Sequence, residues 1–387
     1  MSILKKPLAA LVCLCLLMGA CCFPSYAEEA VPVLSAKSAV LIEAESGMVV
    51  FAHNEALPLP MASTTKIMTA LVALELSSPD TEISVDARAI GVEGSSIYLT
   101  ESEVLTLEQL LYALLLESAN DAAVAIAIGL MGSVEAFAEK MNEKARALGL
   151  MDTHFVNPHG LDDERHYTTA HELAKIAQAV LANDLLRTIV STRKTTIPHA
   201  GTEGVRLLVN HNKLLRLYDG CIGVKTGFTK KSGRCLVSAA ERDGVTLIAV
   251  TLDSPDDWND HVALFDYGFS RFTSVLLCDE GSITHTMPIT GGVCDAVTLC
   301  NKESLRMTLS VGHGEITHTV EAARFAYAPI AADEILGKVV FYCDVDGDGI
   351  KECLGEVSLV SCNAIERKTT KKGFWKWLCG IFGIKKE

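Results

Sequence analysis

A serine and a lysine stand three residues apart, Ser63 and Lys66, in Pro60-Met61-Ala62-Ser63-Thr64-Thr65-Lys66-Ile67-Met68. A serine hydroxyl is a weak nucleophile until a neighbouring base takes its proton. A lysine becomes that base when burial or a second cation lowers its pKa. Lys66 to Leu76 is mostly Ile, Met, Ala, Leu and Val, with no Gly or Pro, so it reads as a helix with Pro60 just ahead of it. With Ser63 in the first turn, Lys66 shares its face, and the helix N-terminus favours negative charge developing there. Alone, S-x-x-K is a weak signal, because a surface lysine one turn from a capping serine spells the same letters.

Two further sets lie downstream. Ser118-Ala119-Asn120 lies between two apolar runs, the first opened by Thr106 with Gln109 as a capping-box partner, the second running from Asp121 to Gly129. Ser and Asn are also the preferred helix caps, which is the bland reading of this turn. Lys225-Thr226-Gly227-Phe228 comes after the strand-like Cys221-Ile222-Gly223-Val224, and its bland reading is a strand end.

Taken together and in this order, the three sets resemble the S-x-x-K, S-D-N and K-T-G signature of penicillin-binding proteins and serine beta-lactamases. Ser-x-Asn in the second set resembles the low-molecular-mass branch, the serine-type D-alanyl-D-alanine carboxypeptidases of peptidase family S11. The strings MASTTKIMTALVALE, LLLESANDAAVAIA, THFVNPHGLDDERHYTTAHELAKIA and GVKTGFTKKSGRCLVSAAERDG carry the likeness, which covers most of residues 35–272 and, more loosely, the region after it.

The resemblance implies a substrate ending in D-Ala-D-Ala on peptidoglycan stem peptides, with beta-lactams as acylating mimics. Ser63 is then the nucleophile. Lys66 is its base, kept neutral by burial beside Lys225. Ser118 passes the proton to the leaving amine, and Asn120 orients Lys66 and the substrate backbone. Lys225 and Thr226 meet the terminal carboxylate. The N–H groups of Ser63 and Phe228 form the oxyanion hole, and Gly227 lets the strand lie close. No metal or cofactor is expected. Some carboxypeptidases of this type carry arginine within 210–215 and after the strand that ends near Leu252. Here those places hold His211 and DSPDDWNDH.

Other functions share parts of this pattern. A class A beta-lactamase needs a deacylating glutamate in E-x-x-L-N, and none lies between Asn120 and Lys225. A transpeptidase or endopeptidase uses the same groups. A non-catalytic wall-binding protein has no need of an intact Ser63, Lys66, Ser118, Asn120 and Lys225.

The elements that must position these residues read as an α+β fold, an antiparallel sheet with a helical lobe, followed by a small all-β domain. Ala39–Ala52 reads as a hairpin turning at Glu45-Ser46-Gly47. An all-helical block is expected from Thr106 to about Asp184, with one helix starting at Thr169 and Glu172 as its capping-box partner. Strands are expected at Thr195–Pro198, Gly220–Lys225, Cys235–Glu241 and Thr246–Leu252, then a helix ending near Gly268. From about Thr273 the pattern changes to short Val, Thr, Ile and Leu runs between glycine turns. The expected divisions are a secretory signal over 1–27, a catalytic domain over 28–272, the β domain over 273–364, and an amphipathic anchor over 365–387.

The signal reading rests on Lys5 and Lys6, an apolar run from Leu8 to Ala20, and small residues at Ser25 and Ala27. Cys21 after Met18-Gly19-Ala20 leaves a lipoprotein alternative. The whole chain has 34 basic and 48 acidic side chains, a formal net charge of −14. Residues 367–387 alone carry seven bases and one acid. An acidic body argues against nucleic acid, and a basic tail argues for a separate task at the anionic outer face of the cell membrane.

Nine cysteines come after residue 27, an odd number, with no C-x-x-C among them. Cys343 and Cys353 flank an expected hairpin turn and are candidates to pair across it. Asp344–Gly349 looks like the start of a calcium loop, but position twelve is Gly355 and the flanks read as strands, so a polar hairpin turn is favoured. His171-Glu172 lacks the second histidine of a zinc motif, and the histidines in general are expected at the surface or at caps.

Overall fold

The computed structural model describes residues 31–199, 204–345 and 349–369. The signal reading of residues 1–27 and the segment from 370 onward lie outside the described residues, as does the centre of the Asp344–Gly349 turn. Every helix and strand named here lies within the unit that runs from Leu34 onward.

The chain begins with the hairpin β1 (Ser38–Glu43) and β2 (Val49–His53). A 3-10 turn, Ala62–Thr65, leads into α1 (Lys66–Leu76). Two short strands, β3 (Glu82–Ser84) and β4 (Val104–Thr106), pair with each other. Then come α2 (Leu107–Leu116), α3 (Asn120–Met131), α4 (Val134–Ala147), α5 (Ala170–Leu181) and α6 (Asp184–Ser191). The pair β5 (Lys194–Pro198) and β6 (Val205–Val209) is next, then the single turn α7 (Leu214–Leu217). The strands β7 (Cys221–Thr229), β8 (Gly233–Arg242) and β9 (Val245–Leu252) form a meander that ends in α8 (Asp257–Arg271).

The main sheet is antiparallel, in the order β2-β1-β9-β8-β7. Its two ends therefore come from opposite ends of the region, which fixes β1 beside β9 across the whole segment between them. All six residues of β1 are buried, because the sheet is covered on both faces. Val40, Ile42, Val237 and Ile248 face the helical lobe, where they meet Ile67, Met68 and Ile176. Leu41, Leu236 and Leu247 face α8 and pack on Leu264 and Phe265. The fold is the expected α+β arrangement. Among the described residues no single helix is long and apolar enough to cross a membrane.

Three expectations need correction. Ser63 sits in the 3-10 turn before the helix, and the α-helix proper starts at Lys66. The helical block is interrupted: residues 148–169 are irregular, held by single bridges Leu59↔Thr168 and His154↔Tyr167. Gly149, Asn157-Pro158 and Gly160 break the helical periodicity there. At α5, Thr169 caps by accepting from the Glu172 N–H, but the Glu172 carboxylate does not return the bond. It accepts instead from Met151 N, Asp152 N and Thr153 Oγ1, which ties the irregular segment to the helix. The Thr106–Gln109 box is closed in both directions.

Beyond α8 every described element is a strand: β10 (Phe272–Cys278), β11 (Thr284–Thr290), β12 (Ala296–Asn301), β13 (Leu305–Ser310), β14 (Thr317–Ala322), β15 (Ala326–Tyr327), β16 (Ile335–Cys343) and β17 (Glu352–Ser361). They enclose a separate small core around Met287, Leu299, Val339, Phe341 and Leu359. β16 and β17 are antiparallel neighbours across Asp344–Gly349, which makes that stretch a hairpin connection. A Cys343–Cys353 bridge is not formed. Cys343 pairs with Glu352 and Cys353 with Tyr342, so the two thiols point to opposite faces of the sheet. Cys343 is buried and Cys353 exposed.

Candidate active site

The turn that carries Ser63 is built by short local bonds. Thr64 Oγ1 donates to Met61 O at 2.6 Å and Thr65 Oγ1 to Ala62 O at 2.7 Å. Ala62 has φ +48°, a left-handed conformation that a non-glycine residue keeps only when its surroundings hold it. They do. Gly160, at φ +89°, lies so close that a Cβ there would collide with Ala62 O and stand 2.8 Å from Thr65 Oγ1. His166 sits 2.8 Å from Thr65 Oγ1 through Nε2, while its Nδ1 accepts from Val156 N. The proton therefore sits on Nε2, and burial keeps the ring neutral by pulling its pKa down to about 4. The irregular segment 148–169 thus clamps the Ser63 turn from outside.

Lys66 is wholly buried, and its Nζ has three partners: Ser63 Oγ at 2.9 Å, Asn120 Oδ1 at 2.7 Å and His159 O at 2.6 Å. Asn120 Nδ2 donates to Glu93 O, so Oδ1 is the atom that faces the lysine. Asn157 fixes the third partner, because its Oδ1 accepts from the N–H groups of His159 and Gly160. Burial pulls the Lys66 pKa well below its usual value, Lys225 lowers it further, and Asp121 partly opposes both. A neutral amine has two N–H bonds and one lone pair. Asn120 Oδ1 and His159 O can only accept, so they take the two N–H bonds and the lone pair is left facing the Ser63 hydroxyl. That is the geometry of a base.

Ser118 and Asn120 sit where α2 gives way to α3. Ser118 has φ +61°, and Asn120 N donates to Ser95 O at 2.7 Å. The buried Asp121 carboxylate accepts from Ser96 Oγ and from the N–H groups of Ile97 and Leu99, pinning that loop beside the turn. Ser118 lines the same pocket of about 370 Å3 as Ser63 and Thr226.

β7 forms the opposite wall. A Cβ on Gly227 would stand 3.1 Å from Ser63 N, Thr64 N and Met61 O, so the strand passes directly beside the Ser63 amide. Glycine is what lets two backbones approach this closely. Lys225 is 1% exposed, its Nζ donates to Thr226 O at 3.0 Å, and burial pulls its pKa down to about 7. Phe228 is exposed at the rim.

The residues predicted from the sequence, Ser63, Lys66, Ser118, Asn120, Lys225, Thr226, Gly227 and Phe228, converge around this one cleft. A family model described as D-alanyl-D-alanine carboxypeptidase, peptidase S11, matches residues 26–256. The chain belongs to that family. D-alanyl-D-alanine carboxypeptidase DacF of Bacillus subtilis is 31% identical over 90% of this chain and 89% of its own length. DacA of Escherichia coli is 30% identical over 81% of each. Among solved structures, penicillin binding protein 5 of Haemophilus influenzae superposes with TM-score 0.64 at 27% identity, over 87% of this chain and 99% of that one. This member of the carboxypeptidase family is a serine-type D-Ala-D-Ala carboxypeptidase.

Several residues that shape the carboxypeptidase site were not foreseen. His159, through its carbonyl, and Gly160 lie in a stretch expected to be helical. His166 and His261 are buried, contrary to the expectation of surface or capping histidines. His261 bridges Ser238 and Thr251 inside the sheet–α8 layer. Arg234 also lines the pocket. It pairs across the β7–β8 hairpin with Phe228, and its Nε and Nη2 donate to Asp257 Oδ1 at 3.0 and 2.8 Å. Its guanidinium lies 5.6 Å from the Trp258 ring centre. The signal that could have found it is the tight turn over Lys230–Gly233, which sets Arg234 opposite Phe228.

Proposed function

We propose that this carboxypeptidase acts through Ser63, with Lys66 as its base. The bond set of Lys66 carries this reading: two oxygen acceptors hold its N–H bonds and leave its lone pair on Ser63 Oγ. Ser63 Oγ attacks the carbonyl of the penultimate D-alanine of a stem peptide, and its proton passes to Lys66 Nζ. The oxyanion meets the N–H groups of Ser63 and Phe228, since Gly227 lets β7 pass directly beside the Ser63 amide. The tetrahedral carbon collapses and expels terminal D-alanine, whose amine takes a proton relayed by Ser118. Water then cleaves the acyl–Ser63 ester. Purified protein mixed with a penicillin tests this against the lactamase alternative. A persistent adduct on the peptide containing Ser63 is expected, and prompt turnover of the drug contradicts it.

The terminal carboxylate is read by Thr226, Lys225 and Arg234. Lys225, with a pKa near 7, is only partly charged when free. Arg234 adds a charge that does not titrate, and Asp257 and Trp258 hold it in place. It takes up the task for which the sequence lacks the arginines of some relatives. Lys225→Ala is expected to cost roughly 10- to 100-fold in kcat/KM for a free-acid peptide. For the wild type, kcat/KM reports the free enzyme, and Lys225 loses its charge as pH rises. The free-acid peptide should therefore decline above about pH 7, and a C-terminally amidated peptide should not. If the amidated peptide loses as much in Lys225→Ala as the free acid does, that role is wrong.

The N-terminal signal and the basic tail support export and attachment to the outer face of the membrane, with the C-terminal β region as a spacer. In residues 374–384, Phe374, Trp375, Trp377, Leu378, Ile381, Phe382 and Ile384 fall on one broad helical face, flanked by lysines. That run is too short to span a bilayer and fits an interfacial helix drawn to anionic lipid. A chain ending at Arg367 should stay soluble and active, while the longer chain should sediment with anionic liposomes. If the longer chain stays in the supernatant at low salt, the tail is no anchor.

A further inference from the structure

Two thiols meet on the outer face of the C-terminal β region. β12 and β17 run antiparallel with Leu299 opposite Ser361 and Cys300 opposite Val360. The ladder continues one step past β17, where Cys362 N donates to Thr298 O at 2.9 Å. Cys362 therefore lies two residues from Val360 on the same face as Cys300, a diagonal neighbour across the strands. Their Sγ atoms are 2.7 Å apart, with the Cys362 thiol donating to Cys300. Among the described residues no other two cysteine sulfurs touch.

The face matters. Val297, Leu299 and Asn301 of β12 point into the core, and Ala296, Thr298 and Cys300 alternate outward. Cys300 and Cys362 are both half-buried, so solvent reaches them. Unpaired cysteine is among the most buried residue types. Two on the outer face of a sheet, in contact, have no packing reason to be there. Lys302 lies near the pair, but Asp333, bridged to it at 3.3 Å, offsets its charge.

We propose that Cys300 and Cys362 are a disulfide-forming site. A Cys300 thiolate attacks one sulfur of a small-molecule disulfide and releases one reduced small thiol. The Cys362 thiolate then attacks Cys300 Sγ in that mixed disulfide and releases the second. The protein loses two hydrogens and the oxidant gains them as two thiols. The bond would tie β12 to the residue after β17. From there the chain leaves through two single-rung pairings, Ile330↔Ile365 and Gly292↔Arg367. It would also leave seven of the nine cysteines after residue 27 unpaired by it.

The test uses the full chain, purified reduced and then treated with oxidised glutathione. Peptide mapping without reductant should recover the Cys300 and Cys362 peptides joined, about 2 Da below their sum and free of glutathione. The exposed Cys294 and Cys353 should carry glutathione, which shows that the oxidant has acted. In Cys300→Ser, Cys362 should instead retain glutathione, having no partner thiol. Recovery of Cys300 and Cys362 from the wild-type chain as free thiols or as separate glutathione adducts, with Cys294 and Cys353 modified, would overturn the proposal. So would either cysteine joined to a different one.

Discussion

Ser63→Ala abolishes covalent labelling by a fluorescent penicillin and leaves the fold in place. The hydroxyl stands 2.9 Å from Lys66 Nζ, on the side left free by the two oxygens that can only accept. Removing it takes away the atom that forms the acyl bond, so the loss is complete and not a matter of degree. The fold should tolerate the change. Thr64 and Thr65 supply the side-chain bonds that shape the turn, and neither depends on Ser63 Oγ. Circular dichroism and a thermal midpoint close to wild type check the second half. Labelling that persists in the variant would remove Ser63 from the mechanism.

Lys66→Ala should lower the acylation rate by several orders of magnitude, a general base alone being worth about 10²- to 10⁴-fold. Truncation also strands Asn120 Oδ1 and His159 O without their donor, so some stability is lost. A second variant separates the two causes. Lys66→Arg keeps a long cation and its donors, but a guanidinium stays protonated and has no lone pair to offer. If Lys66 acts as a base, Lys66→Arg is as slow as Lys66→Ala. If Lys66 acts through positive charge, Lys66→Arg retains much of the wild-type rate, and the assignment of base fails. Single-turnover acylation by a chromogenic beta-lactam reads this directly.

The residues of the candidate site were legible because they sit in short strings whose spacing the backbone preserves. Ser63 and Lys66 are one turn apart, and Ser118 with Asn120, and Lys225 with Thr226 and Gly227, are close neighbours. The strand pattern around the meander was legible for the same reason, since each strand is a short local run, largely buried, ended by glycine or polar residues. What holds these strings together was not. His166 reaches Thr65 across 101 residues and Lys66 reaches His159 across 93, through a carbonyl that has no sequence signature. The segment 148–169 read as helical because its neighbours are, yet its work needs irregular backbone: a bent Asn157–Leu161 turn and a glycine pressed on Ala62. Arg234 was hidden in a different way. It stands at neither of the places where some relatives carry arginine, and the cation arrives instead from the facing strand of the same hairpin as Phe228. The Cys343–Cys353 pairing failed on parity, because the register sends the two thiols to opposite faces.

The most direct measurement is D-alanine release from a synthetic pentapeptide ending in D-Ala-D-Ala. Release of the terminal residue with a tetrapeptide product is expected, stopped by prior treatment with penicillin and absent in Ser63→Ala. An intact pentapeptide, under conditions where the same preparation hydrolyses penicillin promptly, would contradict a carboxypeptidase acting through Ser63.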